Sequence, residues 1–430
     1  MSSQTFWVET LGCPKNQVDS DKLAGTLVAD GLSAAATAAE ADVVVVNTCA
    51  FIEAAREESV ATVLALADQK RPGARLVVTG CMAERYGEEL AAALPEADQV
   101  AGFGVPVTLG RRNSTVGSRG SAAGAGAAVP RLDLLNLPRP PATAPWAYVK
   151  IAEGCDRACG FCAIPSFRGR QRSRRPEDIV AEVDALGARE IVLVAQDLAS
   201  YGRDVADLGA GAIVALLGAV AERVARVRLL YLYPSDLDDA LIEAIGATGV
   251  PYFDLSLQHV SRPLLRRMRR WGDGARFLAR IHDIRSRWPD AAFRSNFIVG
   301  YPGETEADHD ELLAFVDEAQ LDWCGFFSYS AEEGTYALGL DGTVEAGLMA
   351  ERLGELSERQ DAITSRRRQA LIGRTVEVLV DRPGVGRTHR EAPEIDGVVH
   401  LPRSLVVGEL ASVVVTGTCG PDLETDGGAS

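Results

Sequence analysis

The sequence predicts an α/β protein in three parts: an N-terminal doubly wound α/β domain, a partly open (β/α)6 barrel, and a small OB-like C-terminal β-barrel. Three observations carry that prediction. Short apolar runs alternate with amphipathic stretches from residue 5 to about residue 100, and again over six repeats from Trp146 to about Ser330. The two runs are separated by Gly110 to Pro145, rich in Gly, Ala, Ser and Pro, which cannot bury a core. From Leu371 the pattern becomes all-β with Gly and Pro turns, as in a five-stranded barrel of the kind that often binds oligonucleotides. A chain of 430 residues needs more than one core. The expected domains are 5–115, a linker 116–144, 145–370 and 371–430.

In the first part, strands are expected at Phe6 to Leu11, Val43 to Val46 and Leu76 to Thr79, with helices at Ser20 to Ala29 and Ala54 to Ala67. The second part should have strands at Ala147 to Ile151, Glu190 to Val194, Val227 to Leu232, Tyr252 to Leu257, Phe293 to Val299 and Cys324 to Ser328. Helical patterns fall between them, such as Pro176 to Leu186, Ala212 to Val224, Leu237 to Ile245, Gly274 to Arg287 and Thr305 to Glu318. A long charged helix over 345–370 leads into strands at Thr375 to Val380, Ile395 to Leu401 and Leu410 to Thr416.

Composition bounds the class. With 47% hydrophobic and 24% charged residues the chain reads as soluble and globular. No segment has the length and apolarity of a membrane span or signal peptide, so a cytoplasmic location is expected and no membrane partner. In that reducing setting the 8 cysteines are better read as metal ligands than as disulfides.

The cysteines fall in two sets. Cys155, Cys159 and Cys162 stand in the order C-x3-C-x2-C within EGCDRACGFCAIPSFRGR. Structural zinc wants four protein ligands, and no fourth lies nearby in sequence. A cubic iron–sulfur cluster held by three thiolates leaves one iron open instead. The alternative, cysteines that merely pack, gives no reason for them to cluster among Gly154, Asp156, Arg157 and Gly160. Cys13, Cys49 and Cys81 each follow a predicted strand of the first part, where ligands of a parallel sheet gather. Singly each could be a buried bystander. At three equivalent strand ends they read as a second three-thiolate set, with Asn16, Asn47 and Thr48 around it. Cys324 and Cys419 match neither pattern and read as structural.

At the expected barrel mouth, Gln196, Asp197 and Gln258 are candidates to contact a cofactor, or else ordinary loop caps. His259 is as compatible with a structural role as with a functional one. Arginines recur at Arg168, Arg170, Arg172, Arg174 and Arg175, and at Arg262, Arg266, Arg267, Arg269 and Arg270. Some could recognise carboxylates; the rest would be solvated or salt-bridged.

The Cys155 motif, with Phe161 before its last cysteine, resembles the signature of the radical S-adenosylmethionine (SAM) enzymes. The whole chain resembles the radical SAM methylthiotransferases, whose terminal barrel is a TRAM domain: GCPKNQVDS, VVNTCAF, VTGCMAERY, EGCDRACGFCAIPSFRGRQRSR and VGYPGETEAD carry the likeness. The resemblance implies two 4Fe-4S clusters, at Cys155/Cys159/Cys162 and Cys13/Cys49/Cys81, and SAM bound at the open iron of the first. It further implies cleavage of SAM to a radical that abstracts hydrogen, an electron donor such as flavodoxin or ferredoxin, and a monomer. An unactivated C–H bond is beyond side-chain acid–base chemistry, so the cofactor must supply the power.

Two branches of that family differ in substrate. One modifies an adenosine of transfer RNA; the other, the RimO branch, modifies the β-carbon of an aspartate in a small-subunit ribosomal protein. EAPEIDG at 391–397 resembles the protein-modifying branch. Residues 373–430 carry five arginines against nine carboxylates, and the whole chain a net charge of -16. Acidic character suits a basic ribosomal protein, free or on the ribosome, and opposes a phosphate backbone. A transfer-RNA methylthiotransferase and a non-enzymatic iron–sulfur RNA-binding sensor are the competing readings.

Overall fold

A computed structural model describes residues 4–105, 107 and 133–426. Most of the expected linker, and the boundary after residue 115, lie outside the described residues. The chain divides into two compact units, the first comprising 1–140, 152–156 and 163–174, the second 141–151, 157–162 and 175–430.

The first unit opens with β1 (Thr5–Thr10), α1 (Pro14–Ala29), β2 (Ser33–Ala34), β3 (Val43–Thr48), α2 (Glu53–Gln69), β4 (Arg75–Gly80), α3 (Cys81–Ala93) and β5 (Gln99–Ala101). The strands form one parallel sheet in the order β2-β1-β3-β4-β5. Every residue of β3 is buried, as a central strand covered on both faces requires. Val43 and Val45 pack with Leu23 and Leu27 of α1. Val44 and Val46 pack on the other face with Val63, Leu66, Met82 and Leu90 of α2 and α3. This alternation is the doubly wound arrangement expected. Helix α1 begins six residues before the apolar pattern suggested, because Pro14 sits at its first turn, where its fixed φ and missing N–H cost nothing.

The chain then forms β6 (Trp146–Lys150) in the second unit, followed by β7 (Ala152–Glu153), α4 (Ile164–Arg168) and β8 (Arg172–Ser173) in the first. β7 and β8 pair antiparallel, and Ala163 and Phe167 join the α2/α3 core. Residues that the sequence assigns to the barrel therefore belong by packing to the N-terminal unit.

The second unit continues with α5 (Pro176–Leu186), β9 (Glu190–Val194), α6 (Ala212–Ala221), β10 (Arg226–Leu229), α7 (Asp239–Ala247), β11 (Tyr252–Gln258), α8 (Arg262–Arg267), α9 (Gly274–Arg287), β12 (Ala292–Val299), α10 (Glu306–Ala319) and β13 (Trp323–Ser328). All six strands run parallel, as β10-β9-β6 and β11-β12-β13, linked by a bridge between Leu232 and Leu255. Among the described residues no pairing joins β6 to β13, which leaves the (β/α)6 barrel open there. β10 ends three residues short of the expected Leu232 because Tyr231 takes φ 66°, its N–H turned to the Asp254 carboxylate at 3.0 Å.

Helix α11 (Ala346–Gln369) leads to a closed five-stranded barrel of β14 (Thr375–Arg382), β15 (Val385–Arg387), β16 (Val399–His400), β17 (Leu410–Cys419) and β18 (Asp422–Thr425). The strand expected to start at Ile395 does not, because the segment from Arg387 to Asp396 is occupied otherwise. It meets residues at or near the start of all six strands of the larger barrel. Tyr148 donates to Pro393 O at 2.7 Å, Arg226 to Arg387 O and Arg228 to His389 O at 2.9 Å, Tyr252 to Asp396 at 2.6 Å, and Trp323 to Arg390 O at 2.6 Å. Glu190 ion-pairs with Arg228 and Arg387, and Arg294 with Asp396. The N-terminal end of the barrel, the end where such folds invest in stability, is thus closed by this segment.

EAPEIDG is part of that closure. Glu391 is fully buried, paired with Arg368 and bonded by Thr388, and these partners outweigh burial to hold its carboxyl at about 2. Burial pushes Asp396 up to about 6 despite Arg294. The carboxylates of the small barrel are therefore not all surface charge: the buried side chains of Glu391 and Asp396 find their counterions in Arg368 and Arg294. Charge counted from the sequence overstates what a partner would meet.

Candidate metal and cofactor site

Sheet geometry brings the first cysteine set together. Cys13 is the N-cap of α1 after β1, Cys49 follows β3, and Cys81 opens α3 directly after β4. Gly12, with φ 93°, turns the chain so that Cys13 follows the strand end. A Cβ at Gly12 would lie 2.9 Å from Cys49 Cβ, 3.0 Å from Cys49 Sγ and 3.3 Å from Asn16 Nδ2. Gly80, with φ 94°, does the same for Cys81, and its Cβ would lie 2.6 Å from both Thr48 N and Thr48 O.

The thiols differ in their surroundings. For Cys13 burial is outweighed by Lys15, Arg168 and the backbone N–H groups of Asn16 and Lys15, so its pKa is lowered. Burial pushes Cys49 up to about 12, with the neighbouring Cys81 and Cys13 adding to the rise and the Phe51 N–H opposing it. Cys81 is also raised by burial, against the pull of Arg168. A cation taking the place of the Cys49 and Cys81 protons would relieve both. Asn16 bonds Leu11 O at 2.8 Å and Thr48 O at 3.2 Å, and its Oδ1 lies 3.6 Å from Cys81 Sγ. Asn47 and Thr48 instead hold backbone and Ser20, at Asn16 O, Ser20 Oγ and Thr79 O. Among the described residues, no three His, Cys, Asp or Glu side chains are grouped to hold a single metal ion.

Arg168, expected only as one of a run of arginines, is the residue the sequence did not single out. It is buried, donating from Nη2 to Cys81 Sγ at 3.0 Å and Asn16 Oδ1 at 2.8 Å. From Nη1 it donates to Asp19 at 3.0 Å and Glu153 at 2.9 Å. Its only advance signal is position, six residues after Cys162 at the start of Arg168-Gly169-Arg170.

Of the second set, Cys155 is buried in the first unit, where its N–H donates to Gly169 O at 3.1 Å. Gly154 before it has φ 80°, and a Cβ there would overlap the Arg170 carbonyl. Cys159 and Cys162 are half-buried in the second unit. There Gly160 is held by its N–H to Met268 O and its carbonyl to Ala337 N–H, both at 2.8 Å. A Cβ at Gly160 would lie 2.7 Å from the Tyr301 hydroxyl. Arg270 donates to Cys159 Sγ at 3.2 Å and to Ser256 O. Arg157 binds Asp197 at 2.6 Å, Ser200 at 3.0 Å and Asp236. The two guanidiniums lie 4.0 and 4.3 Å from the Tyr233 ring centroid, a pair of cation–π contacts on one aromatic.

The other expected residues are placed as follows. Gln196 is half-buried after β9. Asp197 is buried; its Oδ2 takes Arg157 and Ser200, while Oδ1 has no hydrogen-bond partner among the described residues. Gln258 ends β11 with φ 70° at a register shift. His259 is fully buried, its Nδ1 accepts from Ser261 N–H, and burial lowers its pKa to about 4, so it is neutral. Cys324 has its pKa raised by burial, and Cys419 is exposed at the end of β17. Arg170, Arg172, Arg175 and Arg267 pair with Asp156, Asp133, Asp207 and Asp341.

Three family models match the chain: uncharacterized protein family UPF0004 over residues 5–102, the radical SAM superfamily over 149–316, and the TRAM domain over 372–426. Curated proteins match nearly end to end. One from Nocardioides sp. is 43% identical over 96% of this chain and 95% of its own. One from Streptomyces griseus is 42% identical over 98% and 97%, and one from Streptomyces coelicolor 43% over 98% and 96%. Each of the three is named ribosomal protein uS12 methylthiotransferase RimO. No helix among the described residues is long and apolar enough to cross a membrane.

Proposed function

We propose, from the premise that this chain belongs to the RimO family of radical SAM methylthiotransferases, that it attaches a methylthio group to the β-carbon of an aspartate in ribosomal protein uS12. The observation that carries the reading is the pairing of two three-cysteine sets on one chain with relatives of that name over almost its whole length.

A 4Fe-4S cluster and SAM go with the family; Cys155, Cys159 and Cys162 would hold that cluster. Cys13, Cys49 and Cys81 would hold a second one, and the donor chemistry fits. Cys49 lies against the Gly12 turn that leads into Cys13, and Cys81 shares Arg168 with two carboxylates, an anionic surplus that a cationic metal core would neutralise. Together these groups supply the radical that opens an unactivated C–H bond and the sulfur that is transferred.

The protein's own part is placement. Arg157, Arg270 and Tyr233 fix the loop that carries Cys159, and Met268 and Ala337 pin Gly160. Asp197 Oδ1, buried and free to accept, suits the amino group of SAM, with Gln196 and Gln258 as further contacts. Arg262, Arg266 and Arg269 are exposed beside Arg270 and suit an acidic electron donor such as flavodoxin or ferredoxin. The enzyme would work as a cytoplasmic monomer.

Anaerobic reconstitution with SAM and dithionite tests the reaction, and absence of deoxyadenosine would sink the enzyme reading. Mass spectrometry of uS12 and of transfer RNA from a deletion strain tests the substrate. Unmodified uS12 with unchanged transfer RNA is expected; the reverse overturns it.

A further inference from the structure

Arg168 belongs by sequence to the segment after the Cys155 motif, yet its guanidinium is spent on the other cysteine set. Its side chain is 3% exposed, and both terminal nitrogens are used twice. One nitrogen takes two carboxylates, Asp19 from α1 and Glu153 from β7. The other takes Asn16 Oδ1 and Cys81 Sγ. Its Cζ lies over the Phe103 ring, 4.2 Å from the centroid. A guanidinium is a rigid fork, so fixing one nitrogen by two anions fixes the direction of the other. If Arg168 served only to tie elements together, Asp19 and Glu153 would suffice; the 3.0 Å approach to sulfur adds a directed N–H···S bond to a candidate ligand.

Hydrogen bonds to ligand sulfurs are among the levers that set the reduction potential of an iron–sulfur cluster, because they favour the more negative, reduced form. We propose that Arg168 is a positioning residue for the Cys81 thiolate, holding its sulfur in one direction and raising the reduction potential of the cluster at Cys13, Cys49 and Cys81. The inference rests on the reading that this second cluster exists.

The test is EPR-monitored potentiometry of the anaerobically reconstituted full-length chain, with iron analysis alongside. Wild type should hold about eight irons and give two one-electron waves, the N-terminal one identified by its loss in Cys81→Ala. Arg168→Gln should lower the reduced-to-oxidised ratio of that wave at least tenfold at a fixed potential, a shift of about 59 mV to more negative values, and leave the other wave in place. Arg168→Lys, which keeps the charge but not the fork, should shift it less. An unmoved wave in Arg168→Gln with full iron content overturns the inference. If that variant fails to fold or to hold iron, Arg168→Lys decides: a shifted wave supports the inference and an unmoved one overturns it. A wild type with about four irons and one wave fails the second-cluster reading itself, and the inference with it.

Discussion

The two cysteine sets would meet one proposed demand, presenting three thiols to a metal centre, by opposite means. Cys155, Cys159 and Cys162 share an eight-residue loop, and loosely structured backbone has to be clamped from outside by Arg157, Arg270, Tyr233 and the neighbours of Gly160. Cys13, Cys49 and Cys81 come from three strand ends of one parallel sheet, and the sheet does the positioning. What they share is a glycine with positive φ immediately before Cys13, Cys81 and Cys155, and an arginine on one sulfur, Arg168 on Cys81 and Arg270 on Cys159. A local motif needs support from the fold; a fold-built site needs only the turn and a counter-charge.

The largest expected effect separates the two sets outright. Replacing Cys13, Cys49 and Cys81 by Ala should lower the iron content from about eight to about four and abolish methylthio product while SAM cleavage persists. Replacing Cys155, Cys159 and Cys162 should abolish SAM cleavage while about four irons remain. Iron analysis and deoxyadenosine assay read both, and loss of all iron in either variant would show the sets to be one interdependent site.

A second test asks whether fold stability can be lost without touching either set. Glu391→Gln leaves Arg368 buried without its carboxylate and should cost about 3 kcal/mol at pH 7 by denaturant unfolding. Because the carboxyl of Glu391 is held at about 2 in the folded chain, below its usual 4.5, its contribution is present above the unfolded value. That contribution is lost as pH falls through about 2, so the gap between wild type and variant should narrow from pH 5 downwards. Iron content at pH 7 should be unchanged.

Gly80→Ala and Gly154→Ala form a matched pair between the sets. Each forces a side chain into left-handed backbone against a neighbouring main chain, a strain of about 1–3 kcal/mol before any clash is relieved. Gly80→Ala should weaken only the N-terminal cluster and Gly154→Ala only the other, as read by iron retention under a chelator. The smallest effect is the control. Thr305→Ala removes the capping box at the start of α10, costs about 1 kcal/mol, and should leave both clusters and product formation intact.

The same contrast explains what could be read from the chain beforehand. C-x3-C-x2-C is written in consecutive residues, and the period of apolar runs gave the six barrel strands nearly to their bounds, because buried parallel strands are continuous Val/Ile/Leu runs such as Glu190–Val194. The convergence of Cys13, Cys49 and Cys81 was legible only through a rule about strand ends. The contacts of Arg168 and of the Arg387–Asp396 segment were not legible. Nothing in their local pattern says that one guanidinium is buried against Cys81, or that a stretch of an all-β tail leaves its own sheet. Such long-range polar pairing is specified by three-dimensional packing, and sequence periodicity does not encode it.

The segment from Arg387 to Asp396 also limits how this protein can be recombined. Because it bonds at or near the starts of all six strands, the small barrel is not a cassette that can be exchanged at the end of α11. A chimera that imports a terminal barrel from a relative must import compatible partners for Tyr148, Glu190, Arg226, Arg228, Tyr252, Arg294 and Trp323 as well. A terminal barrel is exchanged in such a protein only together with the floor of the larger barrel.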